Sequence, residues 1–228
     1  MRWPRIGQRA TTAAAVVTVP VLVAVLALVN QGFPLAKVDL NDGSVWVTAT
    51  SQLKLGRYNV PVEELNAGLV TTASTFDVLQ DGGDVVLVQP DGFSVVDPAT
   101  VTLASQVAAP GADVKMAAGV VSVVGADGGL YVRPLTGLDG LRVGTDAPDV
   151  ALGTGGKAVV ARDGTVVAVD GTGVVTRVAP GRAPSEAGAV GDGPVDALTS
   201  VGDEPVVLRG STVQTLHGSV ELDGQGLV

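Results

Sequence analysis

The chain has 228 residues, 46% of them hydrophobic but only 3% aromatic, with 31 glycines and no cysteine. Without cysteine there is no disulfide framework, no thiolate nucleophile and no zinc–thiolate site. All the acidic residues lie beyond residue 30, so the chain from Gln31 onward carries 11 basic and 23 acidic residues, and a surface of that sign repels phosphate backbones and argues against a nucleic-acid partner.

The first twelve residues contain Arg2, Arg5 and Arg9 and no acid. An apolar run follows over residues 13–29, interrupted only by Thr18 and Pro20. This is the lower end of the length that crosses a bilayer. The arginines hold the start on the cytoplasmic side and direct the remainder outward. A cleaved signal peptide shares this pattern, but the small residues that cleavage needs at positions −3 and −1 are poorly matched after the run. The expected organisation is therefore a basic cytoplasmic tail over residues 1–12, a transmembrane signal-anchor helix over 13–30, a linker over 31–37 and an extracytoplasmic domain over 38–228. The expected location is the cell membrane, crossed once.

Beyond the linker the sequence repeats. Asp77-Val78, Asp113-Val114 and Asp149-Val150 are each followed, 14 residues from the aspartate, by Asp-Gly at 91–92, 127–128 and 163–164, and the starts lie 36 residues apart. A degenerate fourth copy opens at Asp196-Ala197 and turns at Arg209-Gly210. Between the turns lie short valine-rich runs, which favour a pleated, half-buried surface. Asp-Gly between two apolar runs is a strong hairpin signal, because the tight turn needs positive φ.

The first unit reads as strands starting at 78, over 85–89, 93–96 and 101–107. The second reads as 114–116, 120–124 and 130–133. The third reads as 150–152, 158–162, 166–169 and 174–178. The Gly-, Pro- and Ala-rich residues 178–194 read as a surface loop. Four antiparallel strands in about 40 residues is the blade of a β-propeller. A β-sandwich lacks a fixed long period, and a β-solenoid uses shorter coils.

The fold class expected is all-β, with about four to five propeller-like blades, after one transmembrane helix. Residues 41–48 (NDGSVWVT) read as the Asp-Gly turn and third strand of a first blade whose start would fall inside the apolar run. The ring is therefore expected to be incomplete.

Three stretches, VDLNDGSVWVT (38–48), GRYNVPVEELNAGL (56–69) and DVLQDGGDVVLV (77–88), resemble the N-terminal region of large actinobacterial membrane-anchored proteins with fibronectin type III or Ig-like repeats. The resemblance implies a short cytoplasmic start, one spanning helix, a propeller-like extracytoplasmic region and, in full-length members, fibronectin modules after it. It implies no catalytic residue. No such module is present in this sequence, which points to truncation.

Candidate chemistry is sparse. His217 is the only histidine, and without a second histidine or a cysteine it makes a poor transition-metal site. Gly153-Thr154-Gly155-Gly156-Lys157 lacks the first glycine and the closing Ser or Thr of a phosphate loop. In Asp39-Leu40-Asn41-Asp42-Gly43 the glycine comes one place early for a calcium loop, and Thr50 stands where the bidentate Glu belongs. Asp91, Asp127 and Asp163 read as turn formers, and Trp46 and Tyr131 as core residues on equivalent third strands. No catalytic, cofactor-binding or metal residue is expected. The function expected is a non-catalytic interaction or scaffold module that binds a protein or cell-envelope partner. The alternative is a cell-wall polymer hydrolase or lyase with its site in the propeller channel.

Overall fold

The computed structural model describes residues 43–222. The tail, spanning helix and linker expected before residue 38 lie outside them. Among the described residues no helix is long and apolar enough to cross a membrane.

Among the described residues nineteen strands form five sheets, in each of which hydrogen-bonded neighbours are consecutive in the chain and antiparallel. The first sheet has three strands, β1 (Ser44–Ala49), β2 (Lys54–Asn59) and β3 (Glu64–Val70). The second holds β4 (Asp77–Asp81), β5 (Asp84–Gln89), β6 (Gly92–Asp97) and β7 (Thr102–Ala108). The third holds β8 (Asp113–Ala117), β9 (Val120–Val124), β10 (Gly129–Pro134) and β11 (Val150–Ala151). The fourth holds β12 (Lys157–Val160), β13 (Val166–Val169), β14 (Val174–Val178) and β15 (Ser185–Ala189). The last holds β16 (Ala197–Val201), β17 (Glu204–Arg209), β18 (Thr212–Thr215) and β19 (Gly218–Glu221).

The opening strands β4, β8, β12 and β16 lie beside one another in that order, with β1 next to β4, and the sheets radiate from them. This is the blade arrangement of a propeller.

Sheets stack face to face because successive side chains of a strand point to opposite faces. Val166 and Ala168 of β13 join the cluster shared with Val120, Leu130 and Val132 of the third sheet. Val167 and Val169, one residue out of step, join Val207 and Val195 on the other side. A strand packed on both faces reads as a continuous apolar run, and β9 (VVSVV) and β13 (VVAV) are buried at every position. Two further clusters fill the remaining gaps. Phe93, Val86 and Tyr131 lie between the second and third sheets, and Trp46, Leu55, Val85 and Leu87 lie between the first and second.

Three expectations need correction. In the third repeat Val150 and Ala151 do not open a blade: they pair with Leu130 and Gly129 as the last strand of the preceding sheet. Asp163-Gly164 then falls between the first and second strands of the fourth sheet, whereas Asp91-Gly92 and Asp127-Gly128 lie between the second and third. The turn equivalent to those two is Asp170-Gly171. The 36-residue period ends where residues 135–149 are inserted after β10. Leu138 is buried in the second-to-third sheet cluster, and Leu141 and Val143 pack against it.

The second correction concerns residues 178–194, which contain β15, paired with β14 across a register shift at Val175/Thr176. A run of Ser, Glu, Ala and Gly has little strand signal of its own, and the ladder of the neighbouring strand supplies the order.

The third concerns the first sheet. Gly43, Ser44, Val45 and Trp46 line a cleft with Val78, Gln80, Asp81 and Gly82, so the start of β1 lies by the end of β4. At the other end the Thr71 hydroxyl, just past β3, meets Gln89 at the end of β5 (2.7 Å). β1 therefore runs opposite to β4 and, with β2 and β3, matches the second to fourth strands of the next sheet. Residues 44–49 are a second strand rather than a third.

Candidate interaction surfaces

Two of the repeated aspartates, Asp127 and Asp163, are occupied in building turns, as is Asp170. Asp127 Oδ1 accepts from Gly129 N (3.0 Å), Asp163 Oδ1 from Thr165 N (2.9 Å) and Asp170 Oδ1 from Thr172 N (2.9 Å). This is the Asx turn, in which the side chain bonds the backbone two residues on. The Thr165 N–H holds the Asp163 carboxyl below its ordinary range, and the Ala99 N–H does the same for Asp97. The glycines that follow Asp91 and Asp127 answer to space. A Cβ on Gly92 would stand 2.1 Å from the Val107 carbonyl oxygen, and one on Gly128 2.3 Å from that of Gly153.

Other polar groups tie one sheet to the next. The Gln80 amide accepts from Trp46 N (2.9 Å) and donates to Ser44 O (2.9 Å), so a side chain from β4 makes the bonds that a neighbouring strand would make to the edge of β1. Arg57 Nη1 donates to Pro98 O (2.9 Å), and Asp81 Oδ2 accepts from Ala118 N (2.6 Å) in the third sheet. Burial, with the Asp81 charge as a smaller cause, pushes the Asp84 carboxyl above its usual range. Arg177 donates to Asp203 O (3.0 Å) and pairs with its carboxylate (3.2 Å). Arg133 pairs with Asp149 (2.7 Å), whose carboxylate also accepts from Val132 N. The third repeat aspartate thus clamps an outer strand.

Several clefts open on the surface. One, of about 540 Å³, lies between β1 and β4. Its Gln80 and Asp81 side chains are the ties just described. A second, about 370 Å³, is lined by Ala161, Arg162, Asp163, Thr165, Arg177 and the Gly202-Asp203 turn, and bridges the fourth and last sheets. A third, about 320 Å³, lies along β6 and β7 at Phe93, Ser94 and Gln106.

Trp46 and Tyr131 are both buried, as core residues should be, but they occupy a second and a third strand and are not equivalent. The Tyr131 hydroxyl accepts from Gly144 N (2.9 Å) and donates to Asp146 O (3.1 Å), which pins the inserted segment. No periodic signal in the sequence marked that role. His217 is exposed in the β18–β19 turn, 3.7 Å from the Glu204 carboxylate. Residues 153–156 form the turn before β12, with Gly153 and Gly155 at positive φ. Of the calcium-like stretch only Gly43 is described. Among the described residues no group of three or more His, Cys, Asp or Glu could hold a metal ion.

No family model matches the sequence. No curated protein matches it either. Solved structures do match. The dihydro-heme d1 dehydrogenase NirN, solved in complex with DHE, aligns over 86% of this chain and 45% of its own, with a TM-score of 0.56 and 15% identity. Hsv2 from Kluyveromyces lactis, with loop 6CD replaced by a Gly-Ser linker, aligns over 79% of this chain and 64% of its own, with a TM-score of 0.59 and 13% identity. A chain of the mitotic checkpoint complex aligns over 76% of this chain and 56% of its own, with a TM-score of 0.51 and 12% identity. The fold is thus all-β and propeller-like, and this chain spans between about half and two thirds of the structures it matches. At such identity the likeness concerns the fold and leaves the site open.

Proposed function

We propose that this chain is a membrane-tethered extracytoplasmic interaction module without catalytic chemistry of its own, which binds a protein or cell-envelope partner. The tether rests on the basic start and the apolar residues 13–30, and the outward direction on the arginines that precede them. The carrying observation is the way polar groups are used at the clefts. Gln80 and Asp81 in the cleft between β1 and β4 are engaged in holding sheets together, so they are not convergent groups aimed at a reacting atom. Hsv2 and the mitotic checkpoint chain are similar folds, the second of them solved within an assembly.

The contact surface proposed is the cleft between the fourth and last sheets. Arg162, Arg177, Asp163 and Asp203 line it on turns held by a rigid β framework, and carrying binding residues on turns of a rigid scaffold is a common division of labour. Its mixed charge suits a polar protein surface better than an apolar ligand.

The test uses the full chain in its native membrane. A photo-crosslinking residue is placed at Arg162 or Gly202, and another at Thr102 on the exposed outer strand β7. A discrete adduct from the first two positions and not from the third supports the reading. Absence of any adduct at the cleft, or cleavage of the exported domain only by protease added to the cytoplasmic side, overturns it.

A further inference from the structure

Exposed large apolar side chains are concentrated at the two ends of the stack. Of the eleven among the described residues, seven belong to the first sheet and its β2–β3 turn, and three to the last sheet and the residue after it; Leu103 lies between. On the first sheet the register gathers them. Val45 pairs with Tyr58 and Tyr58 with Leu65, while Val47 pairs with Gly56 and Lys54 with Val70. Because side chains alternate, Val45, Val47, Tyr58, Leu65 and Val70 share the face opposite Trp46 and Leu55, which pack on the second sheet. Leu65 lies across Gly56, where an added Cβ would stand 2.7 Å from its Cδ1. Lys54 brings the one charge on this face.

The last sheet repeats the arrangement. Leu198 and Val207 pack on the fourth sheet. Thr199 pairs with Val206, Leu208 with Val213, and Val213 with Val220. The opposite face therefore carries Val201, Val206, Leu208, Val213 and Val220, of which Val201 and Val220 are 73% and 65% exposed, with Glu204 as its one charge.

The interfaces inside the chain show what covers such faces. Four times along the stack the following face of one sheet meets the preceding face of the next across aliphatic side chains, joined by Trp46 in the first contact and by Phe93 and Tyr131 in the second. Among the described residues no sheet packs on the preceding face of the first sheet or on the following face of the last, so these two surfaces are the two halves of this repeated contact. We propose that a second copy of this chain seats its last sheet on the first sheet of its neighbour and continues the stack between molecules. The contact is heterologous, joining unlike patches, so it closes into a ring or runs on as an open chain according to the angle between copies. An apolar patch of this kind left in water is an association site.

The experiment uses the full chain, purified in mild detergent, with its mass measured by light scattering. A first-face variant carries Val45→Asp and Leu65→Asp; a last-face variant carries Val201→Asp and Val220→Asp. All four positions are exposed, and a cooperative unfolding transition confirms that each variant folds. The wild type is expected at no less than twice the mass of one chain, each variant alone at the mass of one chain, and an equimolar mixture at the mass of two, because each supplies the face that the other lacks. A monomeric wild type overturns the proposal, whether the faces are then covered by other residues of this chain or by further sheets of a longer protein. Variants that keep the wild-type mass, or a mixture that stays monomeric, overturn it as well. The first of these points to association through residues 13–30, and one variant that stays associated while the other is monomeric points to contact between like faces and overturns the proposal too. Since the chain has no cysteine, Val47→Cys and Val206→Cys chains joined by a short bismaleimide give a second readout. Cross-linking is expected only in the mixture, and a cross-linked product from Val47→Cys alone counts against the proposal.

Discussion

The second strand of the fourth sheet, β13 (VVAV), is buried at each of its four positions, while the second strand of the last sheet, β17 (EPVVLR), is buried only at Pro205 and Val207, although Val206 and Leu208 beside them are as apolar. The difference lies in neighbours rather than residue type. β13 has a sheet on both sides and β17 on one, so the same alternation that fills two cores in the middle of the stack fills one at its end. Interior strands are held by packing and terminal strands mainly by their ladders. Apolar burial is worth roughly 25 cal/mol per Å², so stability should be unevenly distributed along the stack.

The largest effect should come from a glycine. A Cβ on Gly173, in the fourth sheet at φ +88°, would stand 1.9 Å from the Val190 carbonyl oxygen and 2.6 Å from that of Gly191, whereas Gly210 in the last sheet, at φ +54°, has nothing within 4 Å. Gly173→Ala should therefore cost on the order of 3–5 kcal/mol in a urea melt, against about 1 kcal/mol for Gly210→Ala. Equal midpoints would show that the interior sheet yields as easily as the terminal one.

Next in size is the core. Val167→Ala, at a fully buried site, should lose about 2–3 kcal/mol, and Val201→Ala less than about 0.5 kcal/mol. Comparable losses would mean that Val201 is covered in solution, which the association measurement would also register.

Gln80→Ala is expected to cost about 1–2 kcal/mol by leaving Trp46 N–H and Ser44 C=O without the amide. Hydrogen exchange sharpens this: the Trp46 amide should lose protection while those of β13 keep theirs.

The smallest effect concerns pH. Because the folded carboxyl of Asp84 titrates above its ordinary range, the folded state holds this proton more tightly than the unfolded one. The unfavourable contribution of the ionised form is then full above the folded pKa and fades as pH falls towards the ordinary aspartate range. Asp84→Asn should raise the denaturation midpoint slightly at neutral pH and leave it unchanged in acid; a gain confined to acid would reverse this assignment.

Much of the fold was legible. The runs at 85–89, 120–124, 166–169 and 174–178 stand as strands almost to the residue, because dense valine runs and flanking Asp-Gly turns are local signals. The phase of the third unit was not. Asp149 and Asp163 keep the 36-residue spacing by coincidence of an inserted segment, and only pairing shows that Val150 belongs to the sheet before. β15 was hidden for the opposite reason, since its residues carry no pattern and take their order from β14. At the candidate surface, the turn role of Asp127 and Asp163 could be read from Asp-Gly alone. The cross-sheet bonds of Gln80 and Arg177 could not, because their partners lie 36 and 26 residues away in sequence.

By itself, then, the sequence determined the strand content, the turns and the four-stranded unit, all properties of a dozen or so neighbouring residues with their own conformational preferences. Tertiary structure decided which strand belongs to which sheet, which way the first sheet runs and which apolar faces remain uncovered. These depend on side chains meeting across sheets. A strand with valine on both faces looks the same in sequence whether one neighbour covers it or two.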